Sequence, residues 1–136
     1  MESPTSLINF RLDARSGVAP YRQLADQVRQ AVSLGLLRPG DKLPPVREVV
    51  TQITINPNTV HRAYRELEHE GIVEGRPGLG TFVTARASSS LSSSDRTMLQ
   101  QELQQWANRA RSAGVDDEGI SALFAAVIQS KEANAT

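Results

Sequence analysis

The sequence has no cysteine in 136 residues. That absence removes disulfides, thiolate nucleophiles and zinc-thiolate sites together, and it fits a reducing compartment. There is also no apolar run approaching the ~18 residues of a membrane helix. The opening residues, MESPTSLINF, have neither the basic start nor the apolar centre of a secretory leader. The expectation is a soluble cytoplasmic protein with no membrane partner. Net charge is missing too, since 15 Lys and Arg balance 15 Asp and Glu. Nucleic-acid binders often carry a basic surplus, so the balance counts against that class. It is uneven along the chain, however. Residues 1–86 hold 11 basic and 9 acidic side chains, and residues 87–136 hold 4 and 6. A phosphate backbone responds to the field of one face, not to the total.

Catalytic groupings are lacking as well. His61 and His69 are the two histidines, and neither has a third ligand, a cysteine or a suitably spaced carboxylate pair to build a metal or general-base site. The run GRPGLG lacks the strand-to-helix context and the lysine of a phosphate-binding loop. No enzyme, metal or cofactor is expected. The length allows one small domain with a real core, or about 80 residues plus an appendage.

What is present is a succession of short periodic segments. Leu7 to Asp13 alternates apolar and polar at Ile8, Phe10 and Leu12, the period of a half-buried strand. Pro20 opens a helical pattern in which Tyr21, Leu24, Val28, Ala31 and Val32 share a face, closed by Leu36 and Leu37. RPGDKLPP then interrupts any continuous helix. A short helix is expected from about Pro45 to Gln52, with Val46, Val49 and Val50 inward and Arg47 outward. After a tight turn, Asn56 and Pro57 start another helix. Its stripe Val60, Ala63, Tyr64 and Leu67 turns to a core, and Gly71 ends it. IVEGRPGLGTFVT reads as a hairpin in which Val73 and Val83 pair near the base.

Beyond it, ARASSSLSSSD is polar and serine-rich, a linker or a loosely held helix lead-in. Two amphipathic helices should follow, the first carrying Leu99, Leu103, Trp106 and Ala110. Gly114 breaks it and Asp116 caps the second, which carries Ile120, Leu123, Phe124, Val127 and Ile128. Two such short helices cannot enclose a core alone and gain most by packing on a second copy of the chain.

A short helix, a tight turn and a second helix with a polar start form the pattern of a helix-turn-helix, whose second helix enters the DNA major groove by its N-terminal end. Asn58 and Arg62 can address base edges, and Thr59 a phosphate or a thymine methyl. The first backbone N–H groups attract phosphate oxygens. The hairpin then serves as a wing with Arg76 near its glycine-rich tip. Competing readings stand beside these. Asn56 serves as a helix cap or a base reader. Arg62 can pair with Glu66 and Arg65 with Glu68, at about 0.3–0.5 kcal/mol per pair. The wing glycines serve either as a bare turn or as a DNA contact.

LPPVREVV, NPNTVHRAYRELEHEGIVE and GLGTFV together resemble the DNA-binding domain of GntR-type transcription regulators, and NPNTV with RAY is similar to the YtrA-like subfamily. The resemblance covers about Ala19 to Thr84. It implies an α+β fold: an N-terminal winged helix-turn-helix with a small C-terminal two-helix dimerisation region. It also implies a homodimer on an operator of two-fold symmetry, usually as a repressor, and a link to transporter operons. Carried over by position, the DNA-binding set is Arg47, Asn56, Asn58, Thr59, His61, Arg62, Arg76 and Gly78, with Pro77 also at the wing tip. The dimerisation set is Leu99, Leu103, Trp106, Ile120, Leu123, Phe124 and Val127. Three positions depart from the family pattern. Pro45 stands where serine or alanine is usual, His61 where arginine is common, and Thr54 where glycine is frequent.

The expected organisation is a DNA-binding domain over 1–86, a linker over 87–95 and a helical dimerisation region over 96–136. The last region leaves little room for an effector pocket of several hundred Å³. An effector then binds at the dimer interface or does not exist. A protein-interaction module using the winged fold without DNA is the alternative function, and the Asn/His/Arg face disfavours it.

Overall fold

The computed structural model describes residues 8–87 and 89–134. It divides into two compact units, one ending at Ser93 and one beginning at Ser94. The first holds α1 (Pro20–Ser33), α2 (Val46–Gln52), α3 (Pro57–His69) and a hairpin of β1 (Val73–Arg76) and β2 (Gly80–Val83). The second is built from α4 (Ser93–Ser112) and α5 (Asp117–Asn134).

Local chemistry explains the boundaries. Pro20 and Pro57 occupy first helical positions, where a missing N–H costs nothing. At the other end of α3, Gly71 has φ 81°, so its N–H reaches the Glu68 carbonyl and the Ile72 N–H reaches that of Leu67, both at 3.0 Å. That left-handed cap satisfies two orphan carbonyls and turns the chain into β1. α1 ends by the same device at Gly35, so it stops at Ser33, short of the expected Leu36 and Leu37. Leu37 is still buried, but from the loop. α2 begins at Val46 with Pro45 as its cap residue.

One core joins these elements. Leu24 and Val28 of α1, Val49 of α2, Val60, Ala63 and Leu67 of α3, and Val73 and Val83 of the hairpin are buried together. The expected stripe of α3 is therefore its inner face. Val73 faces Val83 in the hairpin register, as expected, and Arg76 faces Gly80.

Residues 8–13 form no strand, although their burial alternates as expected: Ile8 and Phe10 are buried and Leu12 is partly so. Leu7 lies outside the described residues. The backbone partners are side chains. Gln27 accepts from the Arg11 N–H at 3.0 Å and donates to the Arg11 carbonyl at 2.7 Å. Gln23, one turn earlier on α1, does the same for Asp13 at 2.8 and 3.0 Å. A side-chain amide carries the same donor and acceptor as a peptide, so two glutamines replace a neighbouring strand.

The wing hairpin also has a third edge. Leu43 N–H donates to the Thr81 carbonyl and Val83 N–H to the Asp41 carbonyl, each at 2.8 Å, so residues 41–43 bind β2 in strand fashion. Proline-rich RPGDKLPP gives no sequence sign of this pairing. In the expected linker, Ala87 is buried, and the Ser90 N–H and Ser89 hydroxyl both donate to the Ser33 carbonyl at 2.9 Å. These donors satisfy a carbonyl that the end of α1 leaves open. Ser88 lies outside the described residues, and residues 93–95 already belong to α4.

In the second unit, α4 stops at Ser112, two residues before the left-handed Gly114, and the Asp116 carboxylate accepts from the Gly119 N–H at 2.8 Å. No described residue of this unit is buried. Leu99, Leu103, Leu123, Phe124 and Val127 are 47–65% exposed, while Trp106 and Ile120 are half-buried. The two helices enclose no core of their own.

Between α1 and the end of α3, Arg29 binds Asp26, Glu66 and Glu70. The hydrogen bond from Arg29 holds the Glu70 carboxyl below its ordinary range, against a smaller opposing effect of burial. The resulting stability is present above the unfolded glutamate pKa of about 4.3 and is lost as pH falls through the lower folded value. Glu70→Gln should therefore unfold more easily at pH 7 by about 0.5 kcal/mol, a small figure because the side chain is 36% exposed. Urea titrations at pH 7 and pH 3 check this: the deficit should be smaller in acid.

Candidate nucleic-acid interface

Three walls meet beside α3. Pro45, Val46 and Arg47 at the start of α2 form one, His61, Arg65 and Glu68 of α3 the second, and Arg76 to Thr81 of the wing the third. They enclose an open groove of about 700 Å³, with Lys42 at its edge.

Each wall is held at a fixed angle. The Tyr64 hydroxyl, buried beneath the groove, donates to the Pro44 carbonyl at 2.6 Å and ties α3 to the residue before α2. Burial pushes the Tyr64 phenol well above its ordinary pKa, with Glu48 adding to the effect, so it stays a neutral donor. The Glu68 carboxylate accepts from the Gly75 N–H at 3.1 Å and ties α3 to the wing. At the wing tip, Pro77 and Gly78 take the central positions of a turn closed by the Leu79 N–H on the Arg76 carbonyl at 2.9 Å. Gly78 has φ 75°, as the second central residue of a type II turn requires.

The charges are arranged unevenly. Among the described residues, Lys42, Arg47, His61 and Arg65 enter no ion pair and no side-chain hydrogen bond. All four are exposed along the groove. Arg76 differs: Glu74 pairs with it at 3.0 Å, and its guanidinium lies 4.5 Å from the centre of the Phe82 ring. Of the nearby acids, Glu66 of α3 and Glu70 just after it are paired with Arg29 outside the groove, while Glu68 stays in the groove wall and accepts from the wing backbone. Such a groove suits a polyanion, and a wing beside a helix start matches the grooves and backbone of duplex DNA.

The groove gathers Arg47, His61, Arg76 and Gly78 from the expected set. Asn56, Asn58, Thr59 and Arg62 sit apart from it, on the first turns of α3. Asn56 is the cap, its side-chain oxygen accepting from the Asn58 N–H at 2.8 Å. Asn58 is exposed and Thr59 is half-buried. Neither expected helix pair forms. Arg62 instead lies 3.8 Å from the centre of the Tyr21 ring on α1, and Arg65 has no acid partner. Lys42 is the groove residue that sequence reasoning missed. It follows Asp41 in a proline-rich loop and has no periodic signal, and only the pairing of residues 41–43 with β2 brings it here. Gly80 leaves room for it, since a Cβ there would stand 2.7 Å from the Lys42 Cε.

No cluster of His, Asp or Glu suited to a metal occurs among the described residues, and none of the described helices is long and apolar enough to cross a membrane.

Comparison with known proteins places this geometry. Residues 20–83 match the family described as bacterial regulatory proteins, gntR family. The chain is 43% identical over 111 residues to the HTH-type transcriptional repressor YtrA of Bacillus subtilis (strain 168), covering 82% of this chain and 85% of that one. Among solved structures, it resembles a transcriptional antiterminator from Listeria monocytogenes EGD-e with a TM-score of 0.57 and 28% identity, over 92% of this chain and 93% of that one. It also resembles YtrA from Sulfolobus acidocaldarius, a GntR-family transcription factor, with a TM-score of 0.51 and 30% identity, over 73% and 97% of the two chains.

The tie beneath the groove has a measurable value. Tyr64→Phe leaves the Pro44 carbonyl without its donor and should cost about 1–2 kcal/mol, read as a lower midpoint in urea unfolding. A midpoint equal to that of the wild type refutes this role for the hydroxyl.

Proposed function

The chain belongs to the GntR family of bacterial regulatory proteins and is a DNA-binding transcription regulator, and from that premise we propose that it acts as a homodimeric repressor on a palindromic operator. The observation that carries this reading is the groove of cations without acid partners beside the polar start of α3. In each protomer, α3 is the recognition helix. Asn58 and His61 face base edges, and Thr59 and the first N–H groups meet phosphate. Asn56 supports them chiefly as the cap. Arg47 contacts the backbone from α2, while Arg76 and Gly78 bring the wing to the adjacent groove. Lys42 and Arg65 join this set as phosphate contacts.

Residues 1–86 form the DNA-binding domain in this reading, residues 87–95 the connection and residues 96–136 the dimerisation region. The exposed apolar faces of α4 and α5 support that division, since Leu99, Leu103, Leu123, Phe124 and Val127 lose contact with water only against a partner. Trp106 and Ile120 extend the same surface. A dimer spaces two recognition helices to match two half-sites, which is how operator symmetry arises. The similarity to a repressor over most of both chains supports repression, and a neighbouring transporter operon together with the protein's own gene are the proposed targets.

A gel-shift titration against the DNA upstream of its own gene tests the reading. The wild type should bind in a sequence-specific way, and Arg47→Ala should bind at least about tenfold more weakly, with a shallower salt dependence. Absence of binding by the wild type favours an interaction module instead. Removing residues 96–136 should weaken operator binding by loss of dimerisation, and a truncated protein that binds as tightly as the full chain refutes that role.

A further inference from the structure

We propose that Tyr21 is a positioning residue for DNA binding: its ring holds the Arg62 guanidinium flat against the start of α1, where the guanidinium grips a backbone phosphate. The inference rests on the reading of α3 as a recognition helix. It also gives Arg62 a role different from the base contact its place in the sequence suggests.

The Arg62 Cζ lies 3.8 Å from the centre of the Tyr21 ring, well within cation–π range. Tyr21 is the second residue of α1 and is partly buried against the core, so the ring is a fixed surface. The ring covers the guanidinium carbon from one side. The guanidinium's five N–H donors lie in the plane and stay free at the edge.

The partner four residues on would compete for those donors. Glu66 stands at that position, but Arg29 binds it at 3.1 Å and also holds Asp26 and Glu70. Among the described residues Arg62 therefore enters no ion pair. Its charge is uncancelled and its orientation is set before DNA arrives, so little of its rotamer freedom remains to be lost on binding.

Phosphate fits this geometry better than a base edge. Arg62 is turned toward α1 and is absent from the groove between α3 and the wing. A guanidinium pinned in one plane suits a contact repeated on every sequence, and its fork matches two phosphate oxygens.

The test uses the full chain, a duplex recovered by selection from a random library with the wild-type protein, and a random-sequence duplex of the same length. Arg62→Ala should weaken binding to both by about tenfold and lower the slope of log K against log salt by about 0.9. Tyr21→Leu should weaken binding by about three- to tenfold, whereas Tyr21→Phe, which keeps the ring face, should bind like the wild type. Tyr21→Leu should have no further effect in an Arg62→Ala background, because the ring acts through the arginine. Additive losses, or a Tyr21→Phe protein as weak as Tyr21→Leu, overturn the proposal. So does an Arg62→Ala protein that changes base preference at one position with its salt slope intact. If the wild type recovers no duplex at all, the DNA reading falls with it. Wild-type binding by the Arg62→Ala protein removes only the phosphate contact.

Discussion

The position of every candidate DNA contact depends on α3, which must bury one face completely while leaving its first turns bare. The hydrogen bond from the buried Tyr64 hydroxyl to the Pro44 carbonyl is where that requirement is met. Val60, Ala63 and Leu67 alone would anchor the helix by apolar contact, which is strong but non-directional. A directed bond at the edge of the stripe adds rotation control and fixes the chain entering α2, and with it Arg47. A proline carbonyl is a suitable acceptor. Neither Pro44 nor Pro45 has an N–H, and the carbonyl lies ahead of the helical ladder.

Charge is separated by pairing on a chain with no net charge. Away from the groove, Arg29 gathers Asp26, Glu66 and Glu70, so three carboxylates are held together outside it. In front, Lys42, Arg47, His61 and Arg65 line the groove without an ion pair among the described residues. Glu68 is held back by the wing backbone through Gly75. The same acids therefore brace the fold while basic side chains predominate in the groove, which is why the overall charge balance was a poor guide to the charge of this one face.

Much of this could be read directly from residues. Pro57 after Asn56, the stripe from Val60 to Leu67 and Gly71 at the end define α3 through local rules of capping and period, and those rules held. The pairing of Val73 with Val83 followed from a short loop with Pro77 and Gly78. The same reasoning placed a strand at residues 7–13. Its burial pattern was right, but its backbone partners are Gln23 and Gln27, and no periodicity reveals a glutamine that imitates a peptide. Arg62 shows the other limit. Helical spacing offered it Glu66, yet an arginine 33 positions earlier took that acid and an aromatic ring on α1 took the arginine.

The sequence by itself determined the elements whose cause is local: the three helices of the first unit, both ends of α3, the wing turn and the polar start of α3. It also carried the family resemblance, because the ordered motifs lie within one continuous stretch. Tertiary structure alone decided which cations share a groove, which acids are withdrawn from it and which side chains stand in for backbone. These outcomes depend on contacts between residues far apart in sequence, such as Lys42 with Gly80, Arg29 with Glu66 and Tyr21 with Arg62. Spacing along a helix or strand encodes only its own faces, whereas the pairing between faces is chosen by packing.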